Sequence, residues 1–145
     1  MKLLAGVVLG LCVLAPHHGI CAEASANYLY RLHCSGCHGL DGMGSKIGRI
    51  PQFPGIAGQL LKVPEGRTYL VLVPGLVNAA LSDADAARVL NYVLRTWGHA
   101  DLPEDAKDFT ADEVKKIRQT HIDDIIAFRQ DIRDRLAAIG VNIDY

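Results

Sequence analysis

Apolar residues recur with helical spacing along much of the chain, and polar or glycine-rich stretches separate these recurrences. In the clearest case, apolar side chains recur at intervals of three and four positions after Ser82: Ala86, Val89, Leu90, Val93, Leu94 and Trp97. Ser82 followed by Asp85 is typical of a helix N-cap, so we predict a helix over 82–97 with one face in the core. No segment shows convincing two-residue alternation, and the pattern therefore predicts a nearly all-α protein.

A helix is also predicted near the start, over 27–37, with Asn27 as a possible N-cap. The next stretch, 39–58, contains six glycines and two prolines, a composition that favours tight loops. Residues 65–73 form either a short helix or an extended segment, which the sequence "VPG" ends.

The C-terminal third carries further helix signals. Thr110 and Glu113 form a capping-box pattern, and a polar cluster at 120–124 resembles another start, or an adjustment within a helix. The following stretch, "DDIIAFRQDIRDRL", has acidic and basic residues on one side and apolar residues on the other. We expect an amphipathic helix with exposed ion pairs.

The first 26 residues resemble a cleaved secretory signal. Lys2 supplies the positive charge, 3–15 is the apolar stretch, and small residues follow, with cleavage after Ala24 or Ala26. A membrane anchor is the competing interpretation, but 13 apolar residues are few when a spanning helix needs about 20. Export to the periplasm is therefore expected, with no membrane span in the mature protein.

Removal of the signal leaves two cysteines, and both lie in the sequence Cys34-Ser-Gly-Cys37-His38. This is a c-type haem attachment pattern. Two cysteines three positions apart lie on one helical turn and can bond to both vinyl groups of one haem, with His38 as an axial ligand of the iron. A thioredoxin-like pair expects a βαβ setting, and a zinc site expects four ligands, so neither alternative suits this chain.

Composition narrows the function further. The chain has 145 residues, half of them apolar, which suits one compact domain. Lys and Arg number 15 against 16 Asp and Glu, a balance that gives no support for nucleic-acid binding. No general acid, general base or nucleophile cluster is evident, so we do not predict an enzyme.

Three stretches resemble one family: "CSGCHGLDGMG", "PQFPGIAGQ" and "LSDADAARVLNYVL". Together they are similar to the class I c-type cytochromes, small haem proteins of electron-transfer chains, over 27–97. The resemblance implies one covalent haem c and packing of the N-terminal helix against the 82–97 helix. It also implies that a loop proline, Pro51 or Pro54, accepts the N–H of His38, which fixes the imidazole.

The family's usual sixth iron ligand is a methionine on the loop before the last core helix, here around 69–81. That stretch contains no methionine. Met43, His99 and His121 are the candidate replacements, and a histidine would give a lower potential than methionine. The other possibility is an open or water-filled position that admits small ligands such as CO, NO or peroxide.

These observations predict a signal peptide over 1–26, a haem domain over 27–98 and a helical extension over 99–145. The extension packs on the domain, covers the distal face as a lid, or docks a partner. We predict a periplasmic monohaem carrier that passes single electrons between redox proteins, a dehydrogenase and a downstream acceptor. The alternative is a haem-based ligand binder or weak peroxidase.

Overall fold

The computed structural model describes residues 25–143. Within this range the regular structure is helical: α1 (Ala26–His33), α2 (Ser35–His38), α3 (Ala57–Leu60), α4 (Pro64–Leu72), α5 (Pro74–Val77), α6 (Asp83–Val93), α7 (Ala111–Ile117) and α8 (Ile125–Ala138). A π-helix over Leu94–Gly98 and a 3₁₀-helix over His99–Asp101 continue α6. The one strand-like pairing among these residues is an isolated bridge between Ser45 and Ile50. The predicted all-α fold is confirmed.

The N-terminal helix begins and ends differently from the prediction. The Ser25 hydroxyl accepts the Tyr28 N–H, so Ser25 is the N-cap and the prediction of Asn27 was wrong. Asn27 instead donates to the Tyr92 hydroxyl over 2.7 Å. The single helix predicted over 27–37 is also wrong, because it breaks at Cys34, whose φ of −120° is not helical. The rest of the predicted signal segment lies outside the described residues.

The helix predicted after Ser82 is confirmed in its start and changed at its end. The Ser82 hydroxyl accepts the Asp85 N–H at 3.1 Å, which is the N-cap interaction that the sequence indicates. Beyond Val93 the chain continues as the π-helix, a wider turn of five residues that repositions Trp97. Such bulges occur inside α-helices and change which side chains share a face.

Helix α4 shows that the segment predicted as either helical or extended is helical. Thr110 caps α7 by accepting the Glu113 N–H, as predicted. In the polar cluster at 120–124 the N-cap of α8 is Asp124, which accepts two backbone N–H groups at 2.8 and 3.0 Å. No helix within the described residues is long and apolar enough to cross a membrane.

The C-terminal residues share the hydrophobic core of the rest of the chain. Helix α6 packs against both α1 and α7, while α8 packs against α4. The side chains of Val114, Ile132 and Leu136 are fully buried in the same cluster that contains Leu29 and Val89. Burial of apolar surface therefore joins the two ends of the described chain.

Candidate haem site

The Cys34-Ser-Gly-Cys37-His38 sequence lies at the junction of α1 and α2. Cys34 ends α1, donating its N–H to Tyr30, and then accepts the His38 N–H at 3.0 Å. Cys34 is half-buried and Cys37 is exposed, and neither forms a disulfide. The break at Cys34 therefore starts a separate single turn that carries Cys37 and His38.

The His38 imidazole is fixed from one side by a backbone carbonyl. Its Nδ1 lies 3.1 Å from the Pro51 oxygen. A carbonyl can only accept, so Nδ1 carries the proton and Nε2 keeps its lone pair. Burial lowers the pKa of His38 below its usual 6.5, against the opposing effect of the Pro51 bond. The ring is therefore neutral near pH 7, as metal ligation requires.

The two prolines that the sequence left as alternatives have different partners. The Pro54 carbonyl accepts the Gln52 side-chain amide at 3.0 Å, whereas Pro51 serves His38. The sequence could not distinguish them, because the choice depends on how the loop closes.

Glycines close that loop tightly. Gly44 donates its N–H to the His38 carbonyl at 2.9 Å, and the Gly42 carbonyl accepts the Phe53 N–H at 2.8 Å. Both glycines have φ values in the left-handed region, 73° for Gly42 and 64° for Gly44. A Cβ on Gly44 would overlap the Ile50 oxygen and lie 2.6 Å from the Pro51 oxygen. The position of the Pro51 carbonyl therefore depends on the absence of a side chain at Gly44.

Aromatic rings pack against the His38 imidazole, a feature that the sequence did not predict. The Phe53 ring stacks on the His38 imidazole, with centroids 4.1 Å apart and planes at 18°. Trp97 stacks behind Phe53 at 5.7 Å, and Tyr30 lies 4.8 Å from Trp97. The Tyr30 hydroxyl donates to the Gly39 carbonyl at 2.5 Å, and burial raises its pKa to about 12.

The three candidate sixth ligands lie in exposed surroundings. Met43 is 50% exposed, between the two glycines that bond back to the His38 loop. His99 is exposed in the 3₁₀-helix, whose Asp101 accepts from Gln59 at 2.8 Å. His121 is exposed in the loop before α8, where its Nε2 lies 2.9 Å from Asp123.

The donor set fits a porphyrin better than a bare metal ion. Two cysteines outside any disulfide stand next to an imidazole whose Nε2 is available. Among the described residues, no group of three or more His, Cys, Asp and Glu side chains is arranged to hold a metal ion. Burial raises the pKa of Cys34, with a further contribution from Cys37, so this thiol stays protonated until it reacts.

Comparison with known proteins extends this result. No known family model matches the chain. The chain is 34% identical over 115 residues to a cytochrome c-552 of Thermus thermophilus, a match that covers 67% of this chain and 76% of the relative. A second cytochrome c-552 of Thermus thermophilus is 35% identical over 103 residues, covering 59% of this chain and 78% of the relative.

Two features of the structure agree with this similarity to cytochromes: the all-helical fold and the histidine whose imidazole a proline carbonyl orients. The chain therefore belongs to the class I c-type cytochromes, electron carriers with covalently bound haem c.

Proposed function

We propose that the chain is a periplasmic monohaem cytochrome in which Cys34 and Cys37 form the two thioether bonds and His38 is the axial ligand. When bound, the haem supplies a reversible one-electron change between Fe(II) and Fe(III). The observation that carries the assignment is the hydrogen bond of His38 Nδ1 to Pro51, which leaves Nε2 as the metal-binding atom.

The chain supplies two cysteines for covalent attachment of the haem and a backbone carbonyl that orients the His38 ligand. The single turn of α2 presents Cys37 to solvent, three positions after the half-buried Cys34, so the two thiols lie at the start and on the body of the turn that carries His38. The Pro51 carbonyl strengthens the donor character of His38, which favours the oxidised iron and lowers the potential. The exposure of Cys37 supports electron exchange at this end of the molecule, through small and transient contacts with redox proteins.

Mass spectrometry of protein matured in an exporting host with a haem-attachment system tests the assignment. Wild type is expected to carry one haem per chain after denaturation, while Cys34→Ala and Cys37→Ala each lose one thioether bond. His38→Ala is expected to change the Soret spectrum. His33→Ala is a matched control, because His33 is an exposed histidine one residue before the motif. A wild-type chain without covalent haem would refute the proposal.

Export is part of the proposal, and the structure favours one of the two predicted cleavage positions. Cleavage after Ala24 retains Ser25, the N-cap of α1, whereas cleavage after Ala26 removes it. Loss of a serine cap costs about 1 kcal/mol. N-terminal sequencing of the periplasmic protein is expected to start at Ser25, and a start at Asn27 would contradict this.

A second candidate function is small-ligand binding at an open sixth position. Met43 is 50% exposed in the loop between Gly42 and Gly44. His99 and His121 are also exposed, in the 3₁₀-helix and in the loop before α8. The exposure of all three candidate ligands supports an open position. Each of them stays a candidate for a sixth ligand supplied by the chain.

Spectroscopy separates the two functions. An open position predicts a high-spin ferric spectrum and rapid CO binding by the reduced protein. A sixth ligand from the chain predicts a low-spin spectrum that CO leaves unchanged. The variants Met43→Ala, His99→Ala and His121→Ala identify the source of such a ligand, because only the variant that removes it is expected to become high-spin and to bind CO.

The extension after residue 98 is proposed to complete the core of the cytochrome domain. The Phe109 backbone N–H and carbonyl both bond to the Asn91 side chain, at 2.7 and 2.9 Å. Arg118 reaches the Leu81 carbonyl and Asp83 at the start of α6. These contacts support a packing role for the extension.

A further inference from the structure

We propose that Phe53 is a positioning residue that fixes the plane of the His38 imidazole, with Trp97 supporting Phe53 from behind. This inference rests on the proposed role of His38 as the axial ligand. Two contacts then determine the ligand's geometry: the Pro51 carbonyl sets where Nδ1 points, and the Phe53 ring sets how the imidazole plane is turned.

A hydrogen bond to one atom does not by itself fix a ring. The imidazole can still tilt about the line from Nδ1 to the Pro51 oxygen, which is 3.1 Å long. The Phe53 ring lies nearly parallel to the imidazole at 4.1 Å, a distance of direct contact between stacked rings. Tilting would press one ring into the other, so the stack removes the freedom that the hydrogen bond leaves.

Phe53 is itself held on several sides. Its N–H bonds to the Gly42 carbonyl at 2.8 Å, and its ring contacts Trp97 at 5.7 Å and Tyr30 at 6.3 Å. Trp97 in turn lies directly over Gly42, where an added Cβ would come within 2.9 Å of the indole. The support for His38 therefore passes through packed aromatic rings.

The π-helix explains how Trp97 reaches this position. It inserts a wider turn between Val93 and His99, so Trp97 meets Phe53 and the Gly42 loop, while Gly98 contacts Gly58 of α3. Such bulges are frequent at functional sites. Here the bulge joins the last core helix to the residues behind His38.

The orientation of an axial imidazole has two measurable consequences. It sets the splitting of the iron d orbitals, which the g values of the ferric protein report. It also maintains the Nδ1 hydrogen bond that raises donor strength. Loss of the Phe53 ring is therefore expected to shift the g values and to raise the reduction potential, since a weaker donor stabilises the oxidised iron less.

The test compares Phe53→Leu, Phe53→Tyr and Phe128→Leu in the mature holoprotein. Phe128 is a matched control, because it is a partly buried aromatic that contacts Tyr69 and belongs to α8. EPR g values, the redox potential, covalent haem content and thermal unfolding are measured for each variant. Phe53→Leu is expected to shift the g values and raise the potential. Phe53→Tyr keeps the ring and is expected to keep both quantities at their wild-type values. Phe128→Leu is expected to lower stability alone.

Two results would overturn the inference. One is a Phe53→Leu variant with covalent haem whose g values and potential equal those of wild type. The other is a shift of the same size in Phe128→Leu, which would show a general effect of lost packing. Failure of haem attachment in the wild type refutes the proposed function instead, so the two failures are distinguishable.

Discussion

The loop around His38 and the C-terminal region are held in place by different forces. Between 34 and 53, the key side chains are half-buried or exposed, and backbone hydrogen bonds and glycines fix their positions. Between 109 and 143, fully buried side chains carry the packing, with polar contacts at the margin. The surroundings of His38 therefore depend on backbone hydrogen bonds, glycine conformations and ring packing, whereas the C-terminal region contributes mainly buried apolar surface.

This difference separates two kinds of mutational effect. A change in the loop alters the surroundings of His38 and is expected to shift the reduction potential, whereas a change in the C-terminal region weakens the fold and leaves the potential unchanged. Spectroscopy and unfolding then report different regions.

The largest expected effect comes from the C-terminal core. Leu136 is fully buried in α8, and Leu136→Ala removes apolar contacts and leaves a cavity. We expect a loss of about 2 to 5 kcal/mol in the free energy of unfolding, measured by chemical denaturation. The reduction potential is expected to stay at the wild-type value.

Ile139→Ala is the matched control, because Ile139 lies one turn away at 57% exposure. Its effect is expected to stay within about 0.5 kcal/mol. If Leu136→Ala cost no more than this control, the C-terminal region would not be the source of stability.

The next effect lies in the loop. Gly44→Ala would place a Cβ 2.6 Å from the Pro51 oxygen that His38 uses, at a φ of 64°. We expect a cost of about 3 kcal/mol, together with a shifted potential, because the Pro51 carbonyl must move. Gly75→Ala is the control, since its added Cβ meets no atom within 4 Å. An unchanged potential in Gly44→Ala would contradict the view that the loop around His38 controls the potential and the C-terminal region does not.

Local signals made part of this molecule predictable from sequence. The caps at Ser82 and Thr110 depend on residues three positions apart, and the structure has both. Cys34, Cys37 and His38 are adjacent in the chain, so their pattern needs no tertiary information to be read.

Long-range contacts were not predictable in the same way. The choice of Pro51, the stacking of Phe53 on His38 and the π-helix before Trp97 all depend on packing between distant segments. The Glu113 side chain is another case. Its capping-box pattern suggests a bond to its own helix start, but it pairs with Arg67, 46 residues away.

That pair gives a third, smaller prediction. Arg67 binds both Glu113 oxygens at 2.7 Å, donates to the Lys107 carbonyl and lies 4.0 Å over the Phe109 ring. Arg67→Met keeps the apolar stem and removes the charge, with an expected cost of about 2 kcal/mol. Lys62→Met is the control, because within the described residues the structure gives Lys62 no side-chain partner. Equal unfolding free energies for both variants would show that the contacts of Arg67 do not stabilise the fold.

The smallest effect concerns acid stability at the start of α6. The Ser82 hydroxyl donates to the Asp85 carboxylate at 2.7 Å, and this bond, followed by Arg88, lowers the pKa of Asp85 below 3.8. Because the folded-state pKa lies below the unfolded one, the stabilisation is complete above about pH 3.8 and is lost as the pH falls through the folded pKa.

Ser82→Ala removes both the cap and the main cause of this shift. We expect a cost of about 1 kcal/mol near pH 7, and the gap to wild type should narrow as the pH falls below 3.8. Thr110→Ala is the matched control, since Thr110 caps α7 through the Glu113 N–H alone and its cost should not vary through that interval. Denaturant unfolding at several pH values measures both. A Ser82→Ala gap that stays constant under acid would mean that the hydroxyl acts only on the backbone, and that the carboxylate of Asp85 adds nothing to the start of the helix.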